Sequence, residues 1–353
     1  MVAHNPIRWI FQNSSMVLIQ QRKLGESGLS VPVMGVGTLS WGERFVGYGK
    51  THSRDDVIQA YRTCLDAGLN FFDTAEGYGR GANERLLGEC IELVKRPAII
   101  ATKYAPFNRF TPLLTRLSPH ALLNALDHSL ERLGLSRIDL YQIHFPSYFV
   151  SVGGLMDVLA EAVQTGRVRA VGVSNYSASL MRQAHSRLAR YGIALASNQV
   201  HYSLLHRYPE TNGVLDVCHE LKVTLIAYRP LEEGILTGKY RTTPRKVSPI
   251  LRLVYAISPK DPFGEMKGAA YSQRSLRPEK IEPLLVALEK IAHDNGRTIS
   301  QVAINWLMNR DPCVLPIVGA KNARQAKENA EAIGWKLKDE EYEYINRVEV
   351  TSR

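Results

Sequence analysis

The sequence predicts an α/β protein folded as a single (β/α)8 TIM barrel, with an N-terminal β-hairpin and a long loop after the seventh barrel strand. The main support is a set of short, almost continuously apolar segments, which are typical of parallel strands buried on both faces. Eight such segments occur: "VMGVGT", "NFFDTA", "AIIATK", "LYQIHF", "VRAVGVS", "ASNQV", "TLIAYRP" and "VLPIVG". Segments with helical periodicity separate them, and this alternation in one continuous run favours a barrel of about 300 residues.

The N-terminal region is predicted to hold an extension followed by the hairpin. Residues 1–20 form a non-core extension, and residues 21–353 form one barrel domain. The hairpin turns near residues 26–28 of "QRKLGESGLSVPVMGVGT". The extension lacks the long apolar stretch and the small-residue cleavage site of a secretory signal. We therefore expect a cytoplasmic protein, with organelle targeting by this acid-free extension as the alternative.

The predicted helices carry start and stop signals. Ser53 and Asp56 have the spacing of a capping box. Ser118 precedes a proline suited to the first helical position, and Thr298 precedes "ISQVAINWLMNR". Gly134 follows a helix where a left-handed residue is needed.

The long connection covers residues 238–279 and contains no clear strand. It follows the seventh strand, and in a barrel that position overlooks the mouth. The sequence leaves two interpretations open: a functional cover over the mouth or an unstructured loop.

Composition narrows the class of protein. The 353 residues are 45% hydrophobic and carry a formal net charge of +10. A basic balance suits an anionic partner such as a phosphorylated small molecule, but no basic patch interleaved with aromatic residues indicates nucleic-acid binding. No apolar run approaches the ~18 residues of a membrane span.

The four cysteines have neither CxxC nor CxxxC spacing, so we expect no metal site and no disulfide framework.

Candidate catalytic residues lie at the C-terminal ends of the predicted strands, where barrel active sites form. Asp73 ends the second strand, Tyr78 follows in its loop, Lys103 ends the third and His144 the fourth. A phenol titrates near ~10, and a neighbouring lysine cation lowers that pKa. The aspartate would hold the lysine, and the histidine would bind the substrate oxygen or relay the proton. The set predicts a proton donor for an oxygen that becomes anionic, as when hydride adds to a carbonyl.

Each of these residues also has an ordinary structural interpretation. Asp73 could cap a helix, Lys103 could be a surface residue, His144 could be a core histidine and Tyr78 a loop aromatic. Their occurrence at successive strand ends favours the catalytic interpretation.

The chain resembles the aldo-keto reductase family over residues 22–348. The motifs that carry the resemblance are, in order, "GVGT", "FFDTAEGYG" followed by "NERLLGE", "ATKY", "DLYQIHFP", "VRAVGVSNYS", "ASNQVHYS", "TLIAYRPLEEGILTGKY" and "PIVGAKNARQAKENAEAIGW". They are most similar to the branch of plastid and bacterial NADPH-dependent reductases. The resemblance implies that Tyr78 is the general acid, that Lys103 and Asp73 tune its pKa, and that His144 orients the carbonyl.

The resemblance also implies NADPH as cofactor in preference to NADH, bound without a Rossmann GxGxxG turn. It places Ser174, Asn175 and Gln199 on the nicotinamide amide and Tyr228 against the nicotinamide ring. Lys321 would neutralise the 2′-phosphate of the cofactor. The other positions that it assigns to the cofactor are Gly37, Thr38, Asp73, Arg229, Leu231, Gly234, Leu236, Gly238, Gly319, Gln325, Glu328 and Asn329.

The cofactor loop departs from the family pattern. Arg229 stands where a small hydroxyl residue is common, and Glu232 and Glu233 follow it. Two acids would repel the pyrophosphate of the cofactor unless they point outward, and Arg229 is placed to pair with one of them.

The substrate is expected to be a small-molecule carbonyl compound, such as a small sugar, a pyridoxal-like aldehyde or a reactive carbonyl. Trp41, Tyr104, Phe145 and Tyr202 are candidates to line its pocket, with ordinary packing at the barrel mouth as the alternative. A different class of function also stays open: a cofactor-binding regulatory subunit with little turnover, like the channel β-subunits of the same fold. The oligomeric state is not predicted.

Overall fold

Two antiparallel hairpins precede the barrel in the computed structural model, which describes residues 8–12, 15–106, 118–147, 149–241 and 278–348. Strand β1 (Arg8–Gln12) pairs with β2 (Ser15–Ile19), a hairpin that the sequence analysis did not predict. Strand β3 (Gln21–Lys23) pairs with β4 (Ser30–Pro32) and confirms the predicted hairpin.

Eight parallel strands then close into a barrel, which confirms the predicted fold class. They are β5 (Gly35–Gly37), β6 (Phe71–Asp73), β7 (Ile99–Tyr104), β8 (Ile138–Ile143), β9 (Val168–Ser174), β10 (Leu195–His201), β11 (Thr224–Tyr228) and β12 (Val314–Gly319). Each strand pairs with its successor, and β12 closes the ring on β5 with Gly319 opposite Gly37. All eight apolar segments of the sequence therefore become barrel strands.

Helices connect the strands on the outside. Within the described residues they are α1 (Arg54–Asp66), α2 (Ala82–Val94), α3 (Ala121–Leu133), α4 (Val152–Gln164), α5 (Ala178–Ala189), α6 (Val214–Leu221), α7 (Pro278–Asp294), α8 (Ile299–Met308), α9 (Ala323–Ala330) and α10 (Asp339–Arg347). Ser53 caps α1 in the predicted capping box, and Thr298 caps α8. Gly134 ends α3 with φ 66°. Ser118 lies two residues before the N-cap of α3, so that helix begins later than predicted.

The β3–β4 hairpin closes the N-terminal end of the barrel. Its side chains Leu24, Leu29 and Val31 are buried in one cluster with barrel residues that include Phe71 and Leu140. Apolar side chains fill this end of the barrel, so the polar residues at the strand ends lie at the opposite rim.

The hairpin is also tied to the strands by hydrogen bonds. Arg22 donates to the carbonyl oxygens of Val314 at 2.6 Å and Met308 at 2.8 Å. At the hairpin turn Gly25 has φ 55°, and a Cβ there would lie 2.6 Å from the carbonyl oxygen of Ala196. The turn therefore needs glycine both for its left-handed backbone and for the close approach to β10.

Two sequence predictions concern regions that the structure covers only in part. Residues 242–277 of the long connection after β11 lie outside the described residues, so its role as a cover stays a prediction. In the described part of the chain, no helix combines the length and apolar character that crossing a bilayer requires.

Candidate active site

A buried ion pair lies at the C-terminal ends of two neighbouring strands. Lys103 Nζ, in β7, lies 2.5 Å from Asp73 Oδ1, at the end of β6, and the two side chains are 0% and 2% exposed. Lys103 Nζ also donates to the Thr74 carbonyl at 2.8 Å. The second carboxylate oxygen of Asp73 accepts hydrogen bonds from Gln142 at 3.2 Å and Gln199 at 2.9 Å. Both carboxylate oxygens are thus hydrogen-bonded, which fixes the position of the Lys103 ammonium group.

Tyr78 is held against this pair by a short helical turn (Tyr78–Gly81) that follows β6. Lys103 Nζ lies 5.1 Å from the centre of its ring, and the His144 ring meets it edge-on at 5.8 Å. The backbone N–H of Gly79 donates to Glu43 at 2.9 Å and holds the turn. The structure therefore brings together the four residues of the predicted proton-transfer set.

The pKa of Tyr78 is raised overall, whereas the sequence analysis expected Lys103 to lower it. Burial raises the pKa of Tyr78 above its ordinary value, while the Lys103 cation opposes that rise. Burial lowers the pKa of Lys103, but Asp73 and Tyr78 outweigh it, so the lysine pKa is raised overall. At neutral pH the phenol is therefore protonated and the lysine is charged.

His144 is a neutral imidazole at this site. Burial, and then the Lys103 charge, lower its pKa well below the ordinary value. Its Nδ1 atom is buried and has no hydrogen-bond partner among the described residues. An orphaned buried nitrogen beside a phenol fits a site that receives a polar ligand atom.

A second polar cluster lies at the ends of β9, β10 and β11. Ser174 Oγ donates to the Gln199 carbonyl at 2.7 Å, and the Asn175 amide donates to Ser174 Oγ and to the His144 carbonyl, both at 3.1 Å. The Tyr228 hydroxyl donates to Asn175 Oδ1 at 3.0 Å. Asn175 itself has φ 60°, a strained conformation of a kind that clusters at ligand sites. The residues predicted to hold the nicotinamide amide thus lie together beside His144.

The loop after β11 arranges its two acids in different ways. Arg229 pairs with Glu233 at 3.2 Å, the kind of pairing that the sequence suggested. Glu232 instead points inward: it is 2% exposed and accepts hydrogen bonds from His201 at 2.6 Å and Ser203 at 2.5 Å. Glu232 therefore does not point outward, which is the orientation that the sequence analysis gave as a way to avoid repelling the pyrophosphate. Interior donors therefore hold the Glu232 carboxylate, and Arg229 pairs with the other acid of the loop.

A stack of rings stands behind this loop. The His201 ring is parallel to the Tyr228 ring at 5.4 Å and to the His206 ring at 4.0 Å. Burial raises the pKa of Glu232, but His201 and the hydrogen bonds lower it overall, so the carboxylate stays ionised. Sequence analysis missed His201, although its place two residues after Gln199 puts it on the same face of β10.

Two lysines approach each other near the segment after β12. Lys321 is half-buried, and its Nζ donates to the Val46 carbonyl at 2.8 Å. Burial and the nearby Lys239 charge lower the pKa of Lys321. Its backbone N–H donates to Gln325 at 2.9 Å at the start of α9. Converging cations at a helix N-terminus fit an anionic group such as a phosphate.

The remaining residues of this segment are engaged within the protein. Glu328 accepts hydrogen bonds from Thr298 at 3.3 Å and Ser300 at 3.0 Å, at the start of α8. The Asn329 amide donates to the Gly319 carbonyl at 3.1 Å and ties α9 to the end of β12.

The other predicted cofactor positions lie at the same rim. Thr38 donates to the Asp73 carbonyl from both its N–H, at 2.9 Å, and its hydroxyl, at 3.0 Å. A Cβ at Gly234 would lie 2.5 Å from Lys239 Nζ, so glycine lets this lysine approach the loop. Gly37 pairs in register with Asp73, and the turn that holds Leu231, Leu236 and Gly238 follows β11 directly.

The predicted substrate pocket needs correction. Trp41 and Tyr202 are 0% exposed and Tyr104 is 1% exposed, so they pack inside the protein and present no surface to a substrate. Phe145 is half-buried, and its ring stacks on His144 at 4.3 Å. Of the four aromatic residues, it is the one with solvent-facing surface next to the site. The sequence located these residues near strand ends but did not show which way each side chain turns.

Comparisons with known proteins find similar sequences and a similar fold. The aldo/keto reductase family model matches residues 33–350. The chain is 35% identical over 335 residues to "Pyridoxal reductase, chloroplastic" of Arabidopsis thaliana, covering 91% of this chain and 84% of that protein. It is 29% identical to the L-glyceraldehyde 3-phosphate reductase of Escherichia coli K12, covering 92% and 90%. The structure of a glycerol dehydrogenase from Gluconobacter oxydans superposes with a TM-score of 0.73 at 25% identity, covering 93% and 94%.

Proposed function

The chain belongs to the aldo/keto reductase family and is an NAD(P)H-dependent oxidoreductase, and from this premise we propose that it reduces an aldehyde or ketone with Tyr78 as the proton donor. The observation that carries the proposal is the buried Lys103–Asp73 pair, whose cation lies 5.1 Å from the Tyr78 ring.

The ion pair stabilises the charge that proton donation creates. When the phenol gives up its proton, negative charge appears on the Tyr78 oxygen. Lys103 is already positioned to meet that charge, because Asp73 and the Thr74 carbonyl hold its ammonium group. Such preorganised charge needs no rearrangement during the reaction.

His144 orients the carbonyl in this proposal. A neutral imidazole donates one N–H, so it can bind the carbonyl oxygen beside the phenol. Its low pKa keeps it from competing with Tyr78 as the acid at neutral pH.

NADPH is the proposed cofactor, and when bound it supplies the hydride. The cluster of Ser174, Asn175 and Gln199 offers the donors and acceptors that a carboxamide needs. Lys321 and Lys239 offer two positive charges, which a 2′-phosphate can neutralise and an unphosphorylated ribose cannot. We infer the preference for NADPH over NADH from this difference.

The test of the acid is NADPH oxidation, followed by its absorbance, with nitrobenzaldehyde, pyridoxal and L-glyceraldehyde 3-phosphate as substrates. Tyr78→Phe should lower kcat/KM by roughly 10²–10⁴ because it removes the general acid. Tyr208→Phe is the matched control, since Tyr208 is 48% exposed and lies outside the proposed set. Full turnover by Tyr78→Phe would disprove the role of Tyr78. Tight NADPH binding without turnover of any carbonyl would instead support a regulatory subunit.

The test of the cofactor preference is Lys321→Met. We expect its KM for NADPH to rise about tenfold or more, because a charge-assisted contact to the 2′-phosphate is lost. Its KM for NADH should change little. Equal effects on both cofactors would contradict a role at the 2′-phosphate.

A further inference from the structure

A group of metal-ligating side chains lies at the end of the barrel opposite the reductase site. His219 is in the last turn of α6, and Asp311 and Cys313 lie between α8 and β12. We propose that these three residues form a binding site for a divalent transition-metal ion of the Zn²⁺ type. The proposal is independent of the reductase function.

The three side chains already converge. The ligand atoms of His219, Asp311 and Cys313 all lie within 4.8 Å of one another. Two of them, His219 Nε2 and Asp311 Oδ2, are hydrogen-bonded at 2.8 Å. A tetrahedral zinc ion with ligands at about 2.0–2.3 Å needs ligand atoms about 3.3–3.7 Å apart. The histidine must therefore move outward by roughly half an ångström, and its side chain is 52% exposed.

The backbone fixes the other two ligands. The Cys313 N–H donates to Asp311 Oδ1 at 2.9 Å, which leaves Oδ2 turned toward His219. The Leu225 N–H donates to the Cys313 carbonyl at 2.9 Å and anchors it to β11. A held carboxylate, a cysteine anchored through its backbone and one adjustable imidazole give a site that a metal can close with little loss of entropy.

The ligand set selects the class of ion. Thiolate, imidazole and carboxylate together suit Zn²⁺ and its analogue Co²⁺ rather than Mg²⁺ or Ca²⁺, which prefer oxygen ligands. Three protein ligands leave a fourth position for water. The contact with Cys218, and then burial, raise the pKa of the Cys313 thiol, so metal binding must displace a proton from it.

The surroundings limit the affinity. Arg22 lies near Asp311 and Cys313, and its cation opposes a second positive charge. The carboxylate and the thiolate supply two negative charges against it. We therefore expect reversible binding rather than a permanent structural metal.

Titration of the full-length protein with Co²⁺ tests the proposal. One equivalent should produce a thiolate-to-cobalt charge-transfer absorption, and Zn²⁺ should displace it. Cys313→Ser should abolish the absorption, and His219→Ala and Asp311→Asn should each weaken binding at least tenfold. Asp311→Asn keeps the acceptor for the Cys313 N–H, so it is the variant least expected to disturb the loop.

His293→Ala is the matched control, because His293 lies 3.5 Å from Asp294 and is 90% exposed. Its Co²⁺ spectrum and affinity should equal those of the wild type. The proposal would be overturned by the absence of a charge-transfer band, or by a band that survives Cys313→Ser. A band lost in Cys218→Ser but retained in Cys313→Ser would also overturn it.

Discussion

Removing one member of the buried ion pair should strongly destabilise the protein. Among the described residues, Lys103→Met leaves the Asp73 carboxylate, which is 2% exposed, with the amide donors of Gln142 and Gln199 alone. Loss of one partner of a buried pair costs about 3–5 kcal/mol, because the remaining charge is uncompensated. Asp73→Asn should cost a similar amount through the buried lysine. The double variant contains neither charge, so it should be more stable than the sum of the single effects predicts.

Urea unfolding, followed by circular dichroism at constant pH, measures these differences. An interaction energy of about 1–3 kcal/mol between Lys103 and Asp73 is expected from the double-mutant cycle. Lys290→Met is the control: Lys290 also pairs with an aspartate, Asp294 at 2.7 Å, but on the surface, and its loss should change the midpoint little. Additive single effects, or a Lys103→Met midpoint equal to that of the control, would refute the reasoning.

Three further predictions concern the surroundings of the site. Glu232→Gln removes the buried carboxylate that holds the loop after β11, so the KM for NADPH should rise about tenfold, and the melting temperature should also fall because His201 loses its buried partner; an unchanged KM would contradict its role. Burial lowers the pKa of His206 to about 4, and an unfolded histidine titrates near ~6.5, so stability should fall by up to about 3 kcal/mol as the pH falls from about 6.5 to about 4. His206→Gln should flatten this part of the urea-midpoint profile, and an unaltered slope would exclude His206 as the cause. An added Cβ at Gly172 would collide with Ser197 and lie 3.1 Å from Gln142 Cγ. Because Gln142 hydrogen-bonds Asp73, Gly172→Ala should lower kcat more than it weakens NADPH binding, both measured at the same pH.

The fold was largely predictable because buried barrel strands have a recognisable sequence pattern. Burial on both faces requires nearly continuous apolar runs, and each of the eight runs became a strand. The β1–β2 hairpin has no comparable sequence pattern, and residues 1–20 were treated only as an extension. The start of α3 was misplaced because Ser118 accepts from the His120 N–H within a turn that precedes the helix.

The catalytic set could be predicted because it lies at strand ends, whose common rim follows from the fold. Gln142 was missed: it lies inside the apolar run of β8, between Tyr141 and Ile143, and its polarity was the available signal. The inward orientation of Glu232 was not predicted, because it depends on a left-handed backbone, with φ 47°, at a residue that rarely adopts one. The direction of Trp41 depends likewise on long-range packing against Phe72, which local sequence does not encode.

The hairpin that closes the barrel also joins the beginning of the chain to its end. Arg22 binds the carbonyl of Val314, 292 residues later, and β5 completes the ring only with β12. A ribosome that adds about 5–20 residues per second needs roughly 15–60 s to make that length of chain. Until then the apolar side chains of the hairpin and one edge of β5 lack their final neighbours. The ring of strands can therefore close only after most of the chain has been made.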